Sequence, residues 1–254
     1  MIYLYGLLDA AISPKAFDGV DGISGPVHAA RCGGWTVIHG GYEGEDVMPR
    51  RRYLLRHAAV LEAAMVHGAL LPMRFGMLAA SLSEVEDRLA TQKPATEAAF
   101  DRVRGRVELG VRVTVREVDA LEQVLHDTPD LGRLRDELAG AGRSGHFVKA
   151  EFGRQLGEAA AWHRARAQKS LLKALSQCAD DHVLRAPESD FEALRAEFLV
   201  PEARVSAFSD RLAAVCETLD FAGPRPANAH IVGPGPAYHF VTLSLGSAPD
   251  KEAA

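Results

Sequence analysis

Hydrophobic residues along this chain follow patterns typical of both strands and helices. Residues 2–8 form an apolar run that predicts a buried strand, residues 35–39 predict a second strand, and residues 70–75 predict a third. Residues 107–115 alternate between apolar and polar side chains, which is the pattern of a half-buried strand. Residues 13–34 are rich in glycine and proline and therefore predict a loop.

Helical spacing begins at Pro49 and predicts a helix that ends near Gly68. Ser83 lies three residues before a glutamate, the spacing of a capping box, so a second helix is predicted to start at Ser83. Pro94 should interrupt it, and a further helical piece follows over residues 96–105.

The middle of the chain predicts helices only. Val118, Leu121 and Leu125 form one apolar face, and Pro129 suits the first turn of a short helix. The longest helix is predicted over residues 147–179, which would span roughly 50 Å at 1.5 Å per residue. Its apolar stripe advances in steps of three and four. The stripe consists of Phe152, Leu156, Ala160, His163, Ala167, Leu171, Ala174 and Cys178.

The last quarter returns to mixed structure. Strands are predicted over 181–186, 191–200, 227–232 and 239–245, with one helix opening at Pro201. Strands and long helices do not alternate regularly, which disfavours a doubly wound sheet or a barrel.

Together these elements predict an α+β protein with two lobes. The expected boundaries are an N-terminal α+β domain over 1–116 and a C-terminal domain over 117–246. The C-terminal domain would consist of a helical connector with the long helix, followed by a smaller α+β unit. Residues 247–254 are small and charged and are expected to form a flexible tail.

Composition narrows the function classes. Among 254 residues, 29 basic residues face 34 acidic ones, giving a net charge of -5. A nucleic-acid module usually shows a basic excess, so nucleic acid is not a predicted partner. No run approaches about 18 uninterrupted apolar residues, and no basic segment precedes the first apolar run, so neither a membrane span nor a signal peptide is predicted. Three scattered cysteines predict no disulfide framework and favour a reducing cytoplasm.

Sequence motifs for catalysis are absent. Residues 140–145 match GxGxxG, but a predicted helix precedes them, so a helix–helix turn is favoured over a dinucleotide site. The chain contains no phosphate-binding GxxxxGK[ST], no HExxH and no GxSxG. No catalytic residue, cofactor or metal site is therefore predicted.

Arginine residues at two places allow more than one interpretation. Arg50, Arg51, Arg52 and Arg56 form a basic cluster at a predicted helix N-terminus, either a solvated face or a docking patch for an acidic partner segment. Arg74 lies in an apolar strand end, where it could form a structural ion pair, with Glu108 as one candidate. Alternatively, Arg74 could anchor the chain in a partner groove.

Several motifs, in order along nearly the whole chain, resemble those of the gas vesicle protein GvpF/GvpL family. The block 71–76 followed by 107–111 is the most specific part, and the segment 233–240 departs from the family pattern. There, Gly235 replaces a usual tryptophan and Ala237 a second proline, which favours a turn over an interface anchor. The matching motifs are Tyr3-Leu4-Tyr5-Gly6, the block from His57-Ala58 through Leu71-Pro72-Met73-Arg74-Phe75-Gly76, Val107-Glu108-Leu109-Gly110-Val111, Phe198-Leu199-Val200 and Gly233-Pro234-Gly235-Pro236-Ala237-Tyr238-His239-Phe240.

The resemblance implies a non-enzymatic accessory protein of gas vesicle formation, in the cytoplasm and associated with the vesicle. It implies a first lobe similar to a modified ferredoxin-like fold. The implied partners are the small hydrophobic shell protein and other vesicle accessory proteins. Candidate residues for partner binding or for motif structure are Arg50, Arg51, Arg52, Arg56, Pro72, Arg74, Phe75, Glu108, Pro234, Tyr238 and Phe240. The alternative is a small-molecule-binding protein or enzyme with a cleft lined by His57, Arg74 and Glu108.

Overall fold

The structure, a computed structural model, describes residues 1–13, 15–140 and 146–246. The chain forms two compact units. Among the described residues, the first unit contains Met1–Glu108 and Pro234–Gly246, and the second contains Leu109–Gly233. Most of the GxGxxG segment and the predicted tail 247–254 lie outside the described residues.

The first unit is built on a six-stranded antiparallel sheet. Its path runs β2-β3-β4-β1-β5, and β6 pairs with β1 beside β5. The first strand is therefore the central one, because it pairs with three others. The strands are β1 Ile2–Leu8, β2 Asp21–Gly22, β3 Gly25–Cys32, β4 Trp35–Gly41, β5 Leu70–Pro72 and β6 Leu78–Ala79.

Three helices complete the first unit: α1 Arg51–Met65, α2 Leu82–Thr91 and α3 Lys93–Val103. Helix α1 buries residues spaced by three and four, which is the pattern of a helix packed on one face. Those residues are His57, Val60, Leu61 and Ala64. They join a core that includes Tyr3, Tyr5, Leu8, Phe17, Ile23, Val27, Ile38 and Leu70.

Two predictions about strands in this unit were wrong. Strand β3 lies inside the predicted loop 13–34, where Gly33 and Gly34 have φ of 57° and 97° and join β3 to β4 as a two-residue hairpin. Conversely, residues 239–245 form no strand. Their apolar side chains are buried without strand pairing; Phe240 and Leu245, for example, are 4% and 1% exposed.

Helix α2 begins at Leu82, one residue before the predicted start at Ser83. The side-chain oxygen of Ser81 accepts a hydrogen bond from the backbone N–H of Glu84 at 3.3 Å. The Glu84 carboxylate in turn accepts one from the backbone N–H of Ala80 at 2.7 Å. The cap is therefore Ser81, not Ser83. Both serines precede a glutamate by three residues, so the sequence pattern alone does not separate them.

The second unit contains a four-stranded sheet in the order β10-β7-β9-β8. The strands are β7 Arg106–Thr114, which starts in the first unit, β8 Asp181–Leu184, β9 Glu192–Pro201 and β10 Asn228–Gly235. The helices are α4 Glu117–Asp127, α5 Pro129–Gly140, α6 His146–Leu175 and α7 Val205–Glu217.

The long helix α6 has 30 residues and packs as its stripe predicted, with Ala160, His163, Ala167 and Leu171 buried. Among the described helices, none has the length and apolar character needed to cross a bilayer. The predicted face of α4 was wrong at Val118, which is 59% exposed, whereas Leu125 packs against the core as predicted. The buried face of α4 instead carries Asp119, Ala120 and Val124.

The predicted fold class, α+β, is confirmed. The ferredoxin-like comparison for the first lobe is not confirmed and stays a prediction. The domain boundaries at residues 116 and 246 also stay a prediction.

Replacing the cap of α2 tests which serine starts the helix. Ser81→Ala should lower the free energy of unfolding by about 1 kcal/mol, because the Glu84 N–H loses its acceptor. Ser83→Ala, an equally small change two residues away, should stay within about 0.5 kcal/mol of wild type. Urea unfolding followed by circular dichroism measures both, and equal losses would contradict the assignment.

Candidate functional site

The matched motifs of the first unit meet around one buried histidine. Tyr3 and Tyr5 of β1 are each 1% exposed, and their ring centroids lie 4.8 Å apart. His57 of α1 is 3% exposed, and its ring stacks on Tyr5 at 5.6 Å. The Tyr3 hydroxyl and His57 Nδ1 are hydrogen-bonded at 2.8 Å.

The block 71–76 closes this arrangement. Gly76, with φ of 85°, donates its N–H to the Tyr3 hydroxyl oxygen at 3.1 Å. Phe75 places its ring edge against His57 at 5.8 Å. The Ile23 N–H donates to the Tyr5 hydroxyl at 2.7 Å, so both buried tyrosines have hydrogen-bond partners.

The segment after Pro234 supplies the remaining contacts. The Tyr238 ring lies 6.4 Å from that of His57. Glu108, 8% exposed, accepts the backbone N–H of His239 at 2.8 Å and contacts its ring Nδ1 at 2.7 Å. We call Tyr3, Tyr5, His57, Phe75 and Tyr238 the motif cluster.

Burial controls the protonation of this cluster. Desolvation lowers the pKa of His57 to about 4, opposed in part by the Met73 backbone. Burial also raises the pKa of Tyr3 and of Tyr5, each opposed in part by a backbone hydrogen bond. At neutral pH the histidine is therefore neutral and the tyrosines keep their protons. The motif cluster is chemically a group of packed aromatic rings, with Tyr3, Tyr5 and His57 buried and Tyr238 at its exposed edge.

Arg74 and Glu108 do not form the ion pair that the sequence suggested. Arg74 is exposed in the turn after β5, whereas Glu108 pairs with His239. The structure also does not form the expected cleft lined by His57, Arg74 and Glu108, because His57 is enclosed by aromatic rings and Arg74 faces solvent. A cavity of about 600 Å³ lies elsewhere, in the second unit, with Trp162 among its lining residues.

The predicted basic cluster lies on the surface of the first unit. Arg50, Arg51, Arg52 and Arg56 are all exposed, and among the described residues none has a carboxylate partner. Arg52 contacts the ring and hydroxyl of Tyr53. Arg56 donates to the carbonyls of Gly22 and Ile23 at 3.3 and 3.4 Å.

The other candidate residues are divided between core and surface. Pro72 and Phe240 are buried, and Phe240 has the Arg102 guanidinium 5.8 Å from its ring centre. Pro234 is exposed in β10, and Tyr238 is 36% exposed. The structure thus brings the motif side chains of Tyr3, Tyr5 and Phe75 together around His57. It leaves the candidate arginines exposed, namely Arg50, Arg51, Arg52, Arg56 and Arg74.

Comparison with known proteins agrees with the motif assignment. The sequence profile described as "Gas vesicle synthesis protein GvpL/GvpF" matches residues 1–242. The chain belongs to the GvpL/GvpF family. Membership of this family supports a role in gas vesicle formation.

Relatives in the GvpL/GvpF family match over most of the chain. Gas vesicle protein F of Streptomyces sp. (strain CB03234) is 29% identical over 94% of this chain and 98% of its own length. Gas vesicle protein F of Nostoc sp. (strain PCC 7120 / SAG 25.82 / UTEX 2576) is 26% identical over 86% and 90%.

Two crystal structures resemble the fold. The gas vesicle protein GvpF from Anabaena sp. PCC7120 has a TM-score of 0.82 at 22% identity and covers 96% of this chain and 98% of its own. GvpF from Microcystis aeruginosa has a TM-score of 0.73 at 24% identity, with 95% and 99% covered.

Sequence reasoning missed His57 as the centre of the motif cluster. The available signal was its position on α1, three and four residues before Val60 and Leu61, which places it on the buried face. Two tyrosines in an otherwise apolar strand were a second signal, because buried hydroxyls require polar partners.

The lowered pKa of His57 predicts acid sensitivity. Its folded pKa of about 4 lies below the ordinary 6.5, so the neutral-histidine stabilisation is complete above pH 6.5 and lost as pH falls toward 4. Between pH 7 and pH 5 this costs about 2 kcal/mol of unfolding free energy. Urea unfolding of His57→Gln should lack that part of the pH dependence, and an unchanged slope would contradict the assignment.

Arg74 and Glu108 should differ in their effect on stability. Arg74→Ala should melt like wild type, within about 0.5 kcal/mol, because its side chain is exposed. Glu108→Ala should cost about 2 kcal/mol, because the backbone and ring of His239 lose a charged acceptor. Thermal denaturation of both variants decides this, and the reverse order would restore a structural role for Arg74.

Proposed function

We propose that this protein acts in gas vesicle formation by binding the small hydrophobic shell protein, other vesicle accessory proteins or both, without catalysis. The observation that carries this proposal is that the family motifs of the first unit pack around a buried histidine and form no open catalytic site. Tyr3, Tyr5, Phe75 and Gly76 are engaged in holding the first unit together, around a histidine that is 3% exposed.

A closed motif cluster supports binding rather than chemistry. A general acid or base must come within hydrogen-bond reach of the proton that it transfers. His57 is enclosed by the motif cluster, and its lowered pKa keeps it neutral at pH 7. Its neighbours Tyr3 and Tyr5 are each 1% exposed. The motifs therefore serve as a scaffold, and contact with other proteins is left to the surface.

The proposed binding needs reversible surface contacts. Shell subunits that are not yet assembled expose apolar area, and a protein that covers this area would keep them from aggregating. The first unit offers exposed apolar side chains for such contacts, including Met48, Leu54 and Leu55. This arrangement fits an adaptor that holds a partner and then releases it.

A pull-down tests the proposal directly. The tagged full-length chain is expressed together with the vesicle shell and accessory proteins, with the tag alone as control. We expect retention of the shell protein, an accessory protein or both, unaffected by added nucleotide or metal. Recovery of neither class at low salt would contradict the proposed function.

A further inference from the structure

Helix α1 has apolar side chains on both of its faces. The inner face packs into the core through His57, Val60 and Leu61. On the outer side, Leu55 is 60% exposed, and Val66, the residue at the helix C-cap, is 80% exposed. A helix at a protein surface normally turns polar side chains to water, so this outer face is unusual.

Further apolar side chains are exposed beside Leu55 and Val66. Met48, just before the helix, is 60% exposed, and Leu54 is 44% exposed. Ala59, one turn after Leu55, is exposed as well. Leu55 and Ala59 are four residues apart and therefore neighbours along the helix. We call Met48, Leu54, Leu55, Ala59 and Val66 the outer apolar strip.

Positive charge is concentrated at one end of this strip. Arg50, Arg51 and Arg52 are exposed at the start of α1, and no acidic residue lies in the first helical turn. A helix N-terminus already carries partial positive charge, so arginines there are unfavourable for the isolated helix. Along the exposed side of α1, Glu62 is the single acidic residue. The exposed side of α1 itself therefore carries more positive than negative charge. Glu43, Glu45 and Asp46 are exposed in the segment before Met48, and none of the described ion pairs joins them to these arginines.

We propose that the outer apolar strip and its arginines bind an acidic amphipathic helix of a vesicle partner protein, an inference that rests on the proposed function. Apolar side chains of that helix would pack on Leu55 and its neighbours. Its carboxylates would lie at the end that carries Arg51 and Arg52. Helix α1 has 15 residues and is therefore roughly 22 Å long at 1.5 Å per residue, a length along which another helix can pack.

Charge also argues against a second copy of this chain as the occupant. Pairing two outer faces would bring two sets of Arg50, Arg51, Arg52 and Arg56 into one interface, where Glu62 is the single acidic residue that each helix contributes. Like charges across an interface suppress association. An acidic partner removes this repulsion and replaces it with attraction.

Two synthetic peptides test the partner chemistry. Both are 18-residue helices with leucine on one face; the other face carries glutamate in the acidic peptide and lysine in the basic one. Fluorescence anisotropy with the full-length chain should show binding of the acidic peptide alone. Raising the salt concentration should weaken this binding, because exposed charges are screened.

Charge reversal locates the binding face. Arg51→Glu with Arg52→Glu should weaken acidic-peptide binding at least about tenfold, because attraction becomes repulsion at two positions. The matched control is Arg133→Glu with Arg135→Glu on α5, which makes the same charge change at two exposed arginines and should stay within about twofold of wild type.

A second matched pair of variants tests the apolar contribution to peptide binding. Leu55→Ser should weaken peptide binding several-fold, whereas Val118→Ser on α4, at nearly the same exposure, should not. Misfolding does not explain a loss in the arginine variants, because glutamate in the first turn favours the helix. Their melting temperatures should therefore equal or exceed that of wild type.

Several outcomes would overturn this inference: no binding of the acidic peptide, equal binding of both peptides, or equal binding by wild type and the reversed variant. Sedimentation with phosphatidylserine vesicles, without peptide binding, would assign the face to a membrane instead. In the pull-down, retention of vesicle proteins by both wild type and the reversed variant would overturn this inference alone. Retention by neither would overturn the proposed function, and the peptide assay would still decide the face.

Discussion

Two tyrosine hydroxyls on the central strand impose the constraint on which the first unit depends. Tyr3 and Tyr5 contribute large apolar rings to the core, but each hydroxyl is costly to bury without a hydrogen bond. Their partners come from three places: His57 on α1, the N–H of Gly76 after β5 and the N–H of Ile23 before β3. Satisfying two polar atoms thus fixes the helix and both loops on the central strand.

Elements that one local sequence pattern decides were predictable from the sequence. Strand β1 and the stripe of α6 were predicted because one local pattern decides each. Strand β3 was missed because glycine and proline at its start look like a loop, although Gly33 and Gly34 between two β-prone segments are themselves a hairpin signal. Glycine and proline content alone therefore does not reveal the strand that begins at Gly25.

The candidate site was less predictable because its contacts join residues distant in sequence. His239 lies 131 residues after Glu108, so no local pattern indicates their pairing. Glu108 was one candidate ion-pair partner for Arg74, but Arg74 is exposed and Glu108 pairs with His239. Residues 239–245 have strand-like apolar content, yet Phe240, Val241 and Leu245 are buried within the first unit without strand pairing. Burial and strand pairing produce the same apolar pattern, and the chain alone does not distinguish them.

The two faces of helix α1 serve different purposes: the inner face holds the helix in the fold, and the outer face is the proposed binding surface. Its inner face is sufficient to hold it, since His57, Val60 and Leu61 are buried there. Exposed Leu55 adds little to the stability of the isolated chain and exposes apolar area that favours aggregation. The arginines at the end of the helix also do not help it fold, but their mutual repulsion keeps two such faces apart. Each feature is a disadvantage alone. Together they form a surface that rejects its own copies and accepts a partner with the opposite charge and a matching apolar face.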